Sequence, residues 1–232
     1  MRDYLLIYVN GRRYKISGKR GFQSLSDFLR YDLGMVGTKV VCAEGDCGSC
    51  TVLIGRVRNS QLLYEGIDSC IQYLYQLDCS HVITVEGLKD EAQIIHPVQK
   101  AMVDAAGSQC GYCTPGFVMA LAAMLETGET LTRHSVQDGL TGNLCRCTGY
   151  DQILDAGRSF DLTAVAAVAR QFDTASMLAD FTKIGDRPVQ LNSRPTAGIN
   201  RTADSTSTNG AVGKALPPEI FLPSPVNDLL AR

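Results

Sequence analysis

The sequence predicts an α+β fold in three parts: a β-grasp domain over residues 1–90, a four-helix bundle over 91–182, and an irregular arm over 183–232. Three observations carry this. An apolar alternation and a tight-turn pair open the chain. Apolar residues at helical spacing, joined by short links, fill the middle. Proline, serine and threonine then dominate, with six of the eight prolines beyond Gly185.

Leu5, Ile7 and Val9 alternate as one face of a strand does. Asn10-Gly11 follows, and both residues tolerate the positive φ of a hairpin turn. A return strand runs through Tyr14–Ile16. Ser24 is placed to cap a helix whose apolar face is Leu25, Phe28, Leu29 and Leu33. Gly34 sits where that helix stops. Strands over Thr51–Val57 and His81–Val85 complete the β-grasp pattern.

From about residue 95 the spacing turns helical. Val98, Met102, Val103 and Ala106 share a face, and Gly107 ends that helix. Pro115 suits the first turn of the next, where its missing N–H leaves no bond unmade. That helix spans Gly116–Thr127 and stops at Gly128. Thr132 caps a short third helix ending near Leu140. A fourth begins near Tyr150 and carries Ile153, Leu154, Phe160, Leu162, Val165 and Val168. Four helices with short links form a bundle. Beyond Gly185 few large apolar residues appear, as in a linker or docking arm. Ile220-Phe221-Leu222-Pro223 alone regains enough hydrophobicity to dock. No internal repeat is visible.

The 232 residues are 45% hydrophobic and 20% charged, with a net charge of −2. No Lys/Arg cluster marks a nucleic-acid footprint. The longest apolar run, Phe117–Leu125, falls short of the ~20 residues of a spanning helix. MRDYLLIYVN lacks the apolar core of an export signal. The expected location is therefore the cytoplasm, where clustered thiols are metal ligands more often than disulfides.

Eight of the nine cysteines form two quartets. The first is Cys42-x4-Cys47-x2-Cys50, closed by Cys70, the plant-type spacing of a [2Fe–2S] cluster. Gly45 and Gly48 lie inside its loop, where glycine permits close approach and lets amides face the sulfurs. The second is Cys110-x2-Cys113, closed by Cys145-x-Cys147. Its first pair stands at one helix start and its second just before another, and helix N-termini favour an anionic group. Zinc is the alternative ligand for either quartet, more so for the second. Cys79 reads as a spare structural thiol. His81, His96 and His134 read as structural. Gly34-x-x-Gly37-Thr38-Lys39 lacks phosphate-loop spacing. No nucleophile–base pair appears, so no catalytic residue is assigned.

Three segments carry a family resemblance: VCAEGDCGSCTV (41–52), HPVQKAMVDAAGSQCGYCTPGFVM (96–119) and LTGNLCRCTGYDQILDAG (140–157). Together they resemble the iron–sulfur part of the molybdenum hydroxylases, most like the xanthine dehydrogenase branch. The resemblance spans about residues 3–171. It implies an electron-transfer chain with two [2Fe–2S] clusters, one held by Cys42, Cys47, Cys50 and Cys70, the other by Cys110, Cys113, Cys145 and Cys147. It implies partner subunits that carry a molybdenum–pterin cofactor and FAD. The bundle cluster would face molybdenum and the plant-type cluster the flavin. Gln109 and Cys147 would lie against the pterin. Electrons from hydroxylation of a heterocycle would run through the bundle cluster, then the plant-type cluster, to FAD.

Two positions depart from the pattern. Val41 stands where many relatives have glycine. IFLPSPVNDLLA (220–231) resembles the start of an FAD domain, which leads us to expect the flavin on a separate chain and residues 183–232 as its docking arm. Two alternatives stay open at this point: a stand-alone or reductase-linked ferredoxin, which leaves residues 96–157 without purpose, and a zinc-stabilised interaction module.

Overall fold

The computed structural model describes residues 1–89, 94–128, 131–159, 168–185, 187–192 and 219–222. Strand β1 (Tyr4–Val9) and β2 (Arg12–Ser17) form an antiparallel hairpin. Asn10 and Gly11 make its turn, at φ 47° and 78°. Helix α1 (Leu25–Asp27) starts at Ser24, whose hydroxyl accepts a bond from the Asp27 amide at 3.1 Å. It widens into a looser turn over Phe28–Asp32 and ends before Gly34, at φ 69°. Strands β3 (Thr51–Arg58), β4 (Gln61–Asp68) and β5 (Ser80–Ile83) follow. The five strands pair in the order β2-β1-β5-β3-β4. Only β1 and β5 run parallel; every other pair is antiparallel.

Strand β4 is absent from the sequence reading. Gln61, Glu65 and Gly66 interrupt its apolar alternation. Its turn is Asn59-Ser60, both at positive φ, and not the stronger Asn-Gly signal. Strand β1 is buried on both faces. Leu5, Ile7 and Val9 pack with Leu25, Phe28 and Leu29 of the α1 turn region. Leu6 and Tyr8 pack on the opposite side, so the run LLIYV is continuously apolar, as expected of a strand covered twice.

Four short helices build the second region: α2 (Pro97–Asp104), α3 (Thr114–Thr127), α4 (Arg133–Gly139) and α5 (Asp151–Arg158). Helix α3 is central and buried from Gly116 to Ala122. Pro115 lies in its first turn, and Gly128 closes it in the left-handed region at φ 70°. The Thr132 hydroxyl caps α4, accepting from Ser135 N at 3.1 Å. In α2 the shared face reduces to Val98 and Met102, because Val103 turns outward and is 72% exposed. The chain leaves α2 at Ala105, and Ala106 takes positive φ before Gly107. Helix α5 ends at Arg158, earlier than expected. Phe160, Leu162 and Val165 lie outside the described residues, while Val168 is buried in a tight turn over Val168–Gln171.

The two regions share one interior. Leu53, Tyr64, Ile83 and Leu88 pack with Phe117, Leu121 and Ile153. Beside that interior His81 is wholly buried. Gly11 N–H donates to its Nε2 at 3.2 Å, and its Nδ1 lies 2.7 Å from the Tyr64 hydroxyl. A neutral imidazole whose Nε2 accepts carries its proton on Nδ1, so Tyr64 oxygen accepts that bond. The Phe172 ring meets the imidazole edge-on at 4.8 Å. Burial lowers the His81 pKa to about 4.

The chain then returns to its beginning. Helix α6 (Thr174–Ile184) is absent from the sequence reading; its Met177, Phe181 and Ile184 cover Leu6 and Tyr8. Strand β6 (Val189–Asn192) places Val189 and Leu191 in the β-grasp core. Thus α6 and β6 pack on the first region, whereas the sequence places 174–182 with the bundle and 183–192 with the arm. Arg2 clamps this return. Its amide donates to Pro188 O at 3.0 Å, its carbonyl accepts from Gln190 N at 2.9 Å, and its guanidinium forms a two-pronged pair with Asp78. Strand β7 (Glu219–Leu222) pairs antiparallel with β6. The rest of the segment read as a docking end lies outside the described residues. No helix among the described residues is long and apolar enough to cross a membrane.

Candidate metal centres

The first quartet occupies the loop between α1 and β3 and the turn after β4. Backbone handedness shapes this loop: Ala43, Gly45 and Gly48 take φ of 58°, 77° and 66°. Such reversals turn successive amides inward, a nest suited to anions. Asp46 N–H points at Cys42 Sγ at 3.4 Å. The amides of Glu44 and Asp46 pull the Cys42 pKa down to about 7. Glycine suits position 45 because its φ of 77° strains any L side chain, and Ile71 Cδ1 lies 2.6 Å from where a Cβ would stand. Cys47 and Cys50 are buried, and burial pushes the Cys50 thiol upward. Within the quartet the thiols meet in pairs, Cys42 with Cys47 and Cys50 with Cys70.

The second quartet gathers where α3 begins and α5 is about to begin. Cys113 is the residue that starts α3, and Cys145 and Cys147 precede α5 in a tight turn. Cys113 interacts with Cys145 and Cys110, and Cys147 with Cys110 and Cys145, so all four thiols are neighbours. Burial pushes the Cys113 thiol up to about 12. Burial also acts upward on Cys145, but the Thr148 hydroxyl at 3.2 Å and neighbouring amides outweigh it, and the net shift is downward. Tyr150, in the left-handed region at φ 72°, holds the turn through its hydroxyl, which accepts from Cys145 N at 2.9 Å. Cys110, Cys147 and Gln109 are exposed on one side of this turn. Cys79 stands apart, half-buried near Arg2 and in neither quartet; its pKa is pushed up to about 12 by desolvation.

All nine cysteines are free thiols. Among the described residues no three His, Cys, Asp or Glu side chains converge on one point as ligands of a single ion would. Four thiols per quartet match the ligand count of a [2Fe–2S] centre, two thiolates on each iron.

The two ligand loops touch. Leu144 N–H donates to Cys47 O at 3.0 Å, so neighbours in the chain link a residue of one quartet to Cys145 of the other. Asn143 Nδ2 reaches Gly48 O at 2.9 Å and Thr51 Oγ1 at 3.3 Å. Lys39 lies over the Tyr112 ring at 6.0 Å. Sequence reasoning named neither Asn143 nor Leu144 as site residues. A polar residue two positions before C-x-C, in a tightly spaced turn, is the available signal.

Two family matches cover these regions. Residues 7–80 match a 2Fe-2S iron-sulfur cluster binding domain, and residues 84–158 match a [2Fe-2S] binding domain. The chain is 42% identical to a xanthine dehydrogenase of Oryza sativa subsp. japonica over 158 residues, 67% of this chain and 12% of that protein. It is 38% identical to aldehyde oxidase 2 of Cavia porcellus over 166 residues, 71% of this chain and 12% of that protein. The chain thus spans about an eighth of the curated relatives it matches. Among solved structures, a chain of quinoline 2-oxidoreductase from Pseudomonas putida 86 matches with a TM-score of 0.56 at 31% identity, covering 72% of this chain and 93% of that one. Aldehyde oxidoreductase from Desulfovibrio gigas matches with a TM-score of 0.59 at 32% identity, covering 73% and 18%. With two [2Fe–2S] binding domains in this order, the chain belongs to the iron–sulfur part of the molybdenum hydroxylases, the xanthine dehydrogenase and aldehyde oxidoreductase family.

Proposed function

We propose that this chain is the electron relay of a xanthine dehydrogenase-type molybdenum hydroxylase, joining a molybdenum–pterin site to FAD, with both of those cofactors held outside it. When bound, two [2Fe–2S] clusters supply one-electron uptake and release. Cys42, Cys47, Cys50 and Cys70 hold one, and Cys110, Cys113, Cys145 and Cys147 hold the other. The observation that carries the relay is the bond from Leu144 N–H to Cys47 O, which makes the two ligand loops a continuous path. Exposure of Gln109, Cys110 and Cys147 supports that side as the input, against the molybdenum partner. The amides around Cys42 favour negative charge in the first loop. The partner oxidises a heterocycle at molybdenum; this chain contributes no group to that chemistry.

Low-temperature EPR of the dithionite-reduced chain tests the reading, with two distinct [2Fe–2S] signals expected. Cys113→Ser or Cys145→Ser should remove one signal and stop electron flow from molybdenum while the plant-type signal persists. Loss of the plant-type signal in either variant means the pairing of cysteines is wrong. Absence of both signals from the unmodified chain, with zinc found by elemental analysis, refutes the relay.

A further inference from the structure

Resting on the relay reading, we infer that Asn143 is a positioning residue: it fixes the spacing of the two ligand loops and thereby the coupling between the centres they hold. Asn143 is 6% exposed and bridges the two regions of the fold. Its backbone N–H donates to Leu140 O at 2.9 Å, which pins it to the end of α4. Its side-chain amide has two hydrogens and faces two acceptors. One is Gly48 O, which also takes bonds from Thr51 N at 3.2 Å and Thr51 Oγ1 at 2.6 Å. The other is Thr51 Oγ1, whose own hydrogen is spent on Gly48 O. The Asn143 amide thus supplies donors that span both acceptors from the other side of the contact. The next amide, that of Leu144, is the one bonded to Cys47 O.

Close approach here depends on missing side chains. A Cβ on Gly48 would overlap Asn143 Nδ2 and Gly142 O. A Cβ on Gly116, in the first turn of α3, would overlap Gly48 O and stand 2.9 Å from Ser49 Cα. Three backbone segments therefore meet at Gly48 with nothing between them, and Asn143 ties the contact. Hydrogen bonds between buried polar groups favour a single geometry. Asn143 sets that geometry without itself holding metal.

The test uses the full chain loaded with both clusters and reduced by dithionite. The readout is the splitting and broadening that each paramagnetic centre imposes on the other's EPR signal. Asn143→Asp keeps the shape but sets a second oxygen against Gly48 O. Both signals should remain, with iron content unchanged and the mutual splitting diminished. Gly116→Ala pushes on the same contact from the opposite side and should give the same result; it serves if N143D does not hold its clusters. Unchanged splitting in variants that retain both signals overturns the inference, even if their melting temperatures fall. Absence of two signals in the unmodified chain instead sinks the relay reading itself.

Discussion

Acidification from pH 7.5 to 5.5 should destabilise the protein through His81. The imidazole is fully buried, and burial lowers its pKa from 6.5 to about 4. Between those values the unfolded chain binds a proton and the folded chain does not. Stability is therefore complete above pH 6.5 and is lost as pH falls toward 4. A shift of that size corresponds to about 3 kcal/mol once both forms are accounted for. At pH 5.5 about 1 kcal/mol of it is gone. For a protein of this size that lowers the melting temperature by roughly 2–4 °C. Asp180, lowered by its bonds from Tyr8 and Arg13, weakens the fold only at more acid pH. Glu126 and Asp68, raised by burial, act with the opposite sign and act equally in any His81 variant. Thermal melts by circular dichroism at both pH values, on the unmodified protein and on His81→Gln, isolate the effect. The variant should lose most of the acid-dependent drop. An equal drop in both, or an NMR titration of His81 with its midpoint near 6.5, refutes the reasoning.

Three further outcomes follow from the same geometry. Arg2→Ala leaves Asp78 without its partner and should cost about 3 kcal/mol. Trypsin should then cut faster after Lys183 and Arg187, and an unchanged digestion pattern counts against the clamp. Gly48→Ala places a side chain at φ 66°, a left-handed position costing about 1–2 kcal/mol, and forces Asn143 and Gly142 away. Iron per chain and melting temperature should both fall. In the metal-free chain at pH 7, iodoacetamide should modify Cys42 first and Cys79 among the last, as amides lower one thiol and burial raises the other; peptide mass spectrometry reads the order, and early labelling of Cys79 contradicts it.

Local signals in the sequence were those a single turn or spacing settles. Asn10-Gly11, Ser24, Pro115, Gly128 and Thr132 stand where the chain turns, caps or stops. Signals that depend on distant packing were not legible. Strand β4 shows weak alternation because its exposed edge carries Gln61 and Glu65. Leu6 and Tyr8 read as interruptions of a pattern until α6 covers them from 170 residues away. The quartets were legible as spacings, but their contact through Leu144 and Asn143 was not, since it joins residues nearly a hundred positions apart.

Strand β6 imposes an order on synthesis. Val189 and Leu191 complete the β-grasp core, yet they are translated roughly a hundred residues after β5. At about 5–20 residues per second the ribosome needs about 5–20 s to deliver them. For that interval the five-stranded sheet is covered by an unfinished core, while α2 to α5 are already available to fold. Completion of the first region thus waits on a segment translated after the bundle, and the arrival of β6 and the Arg2 clamp supplies it.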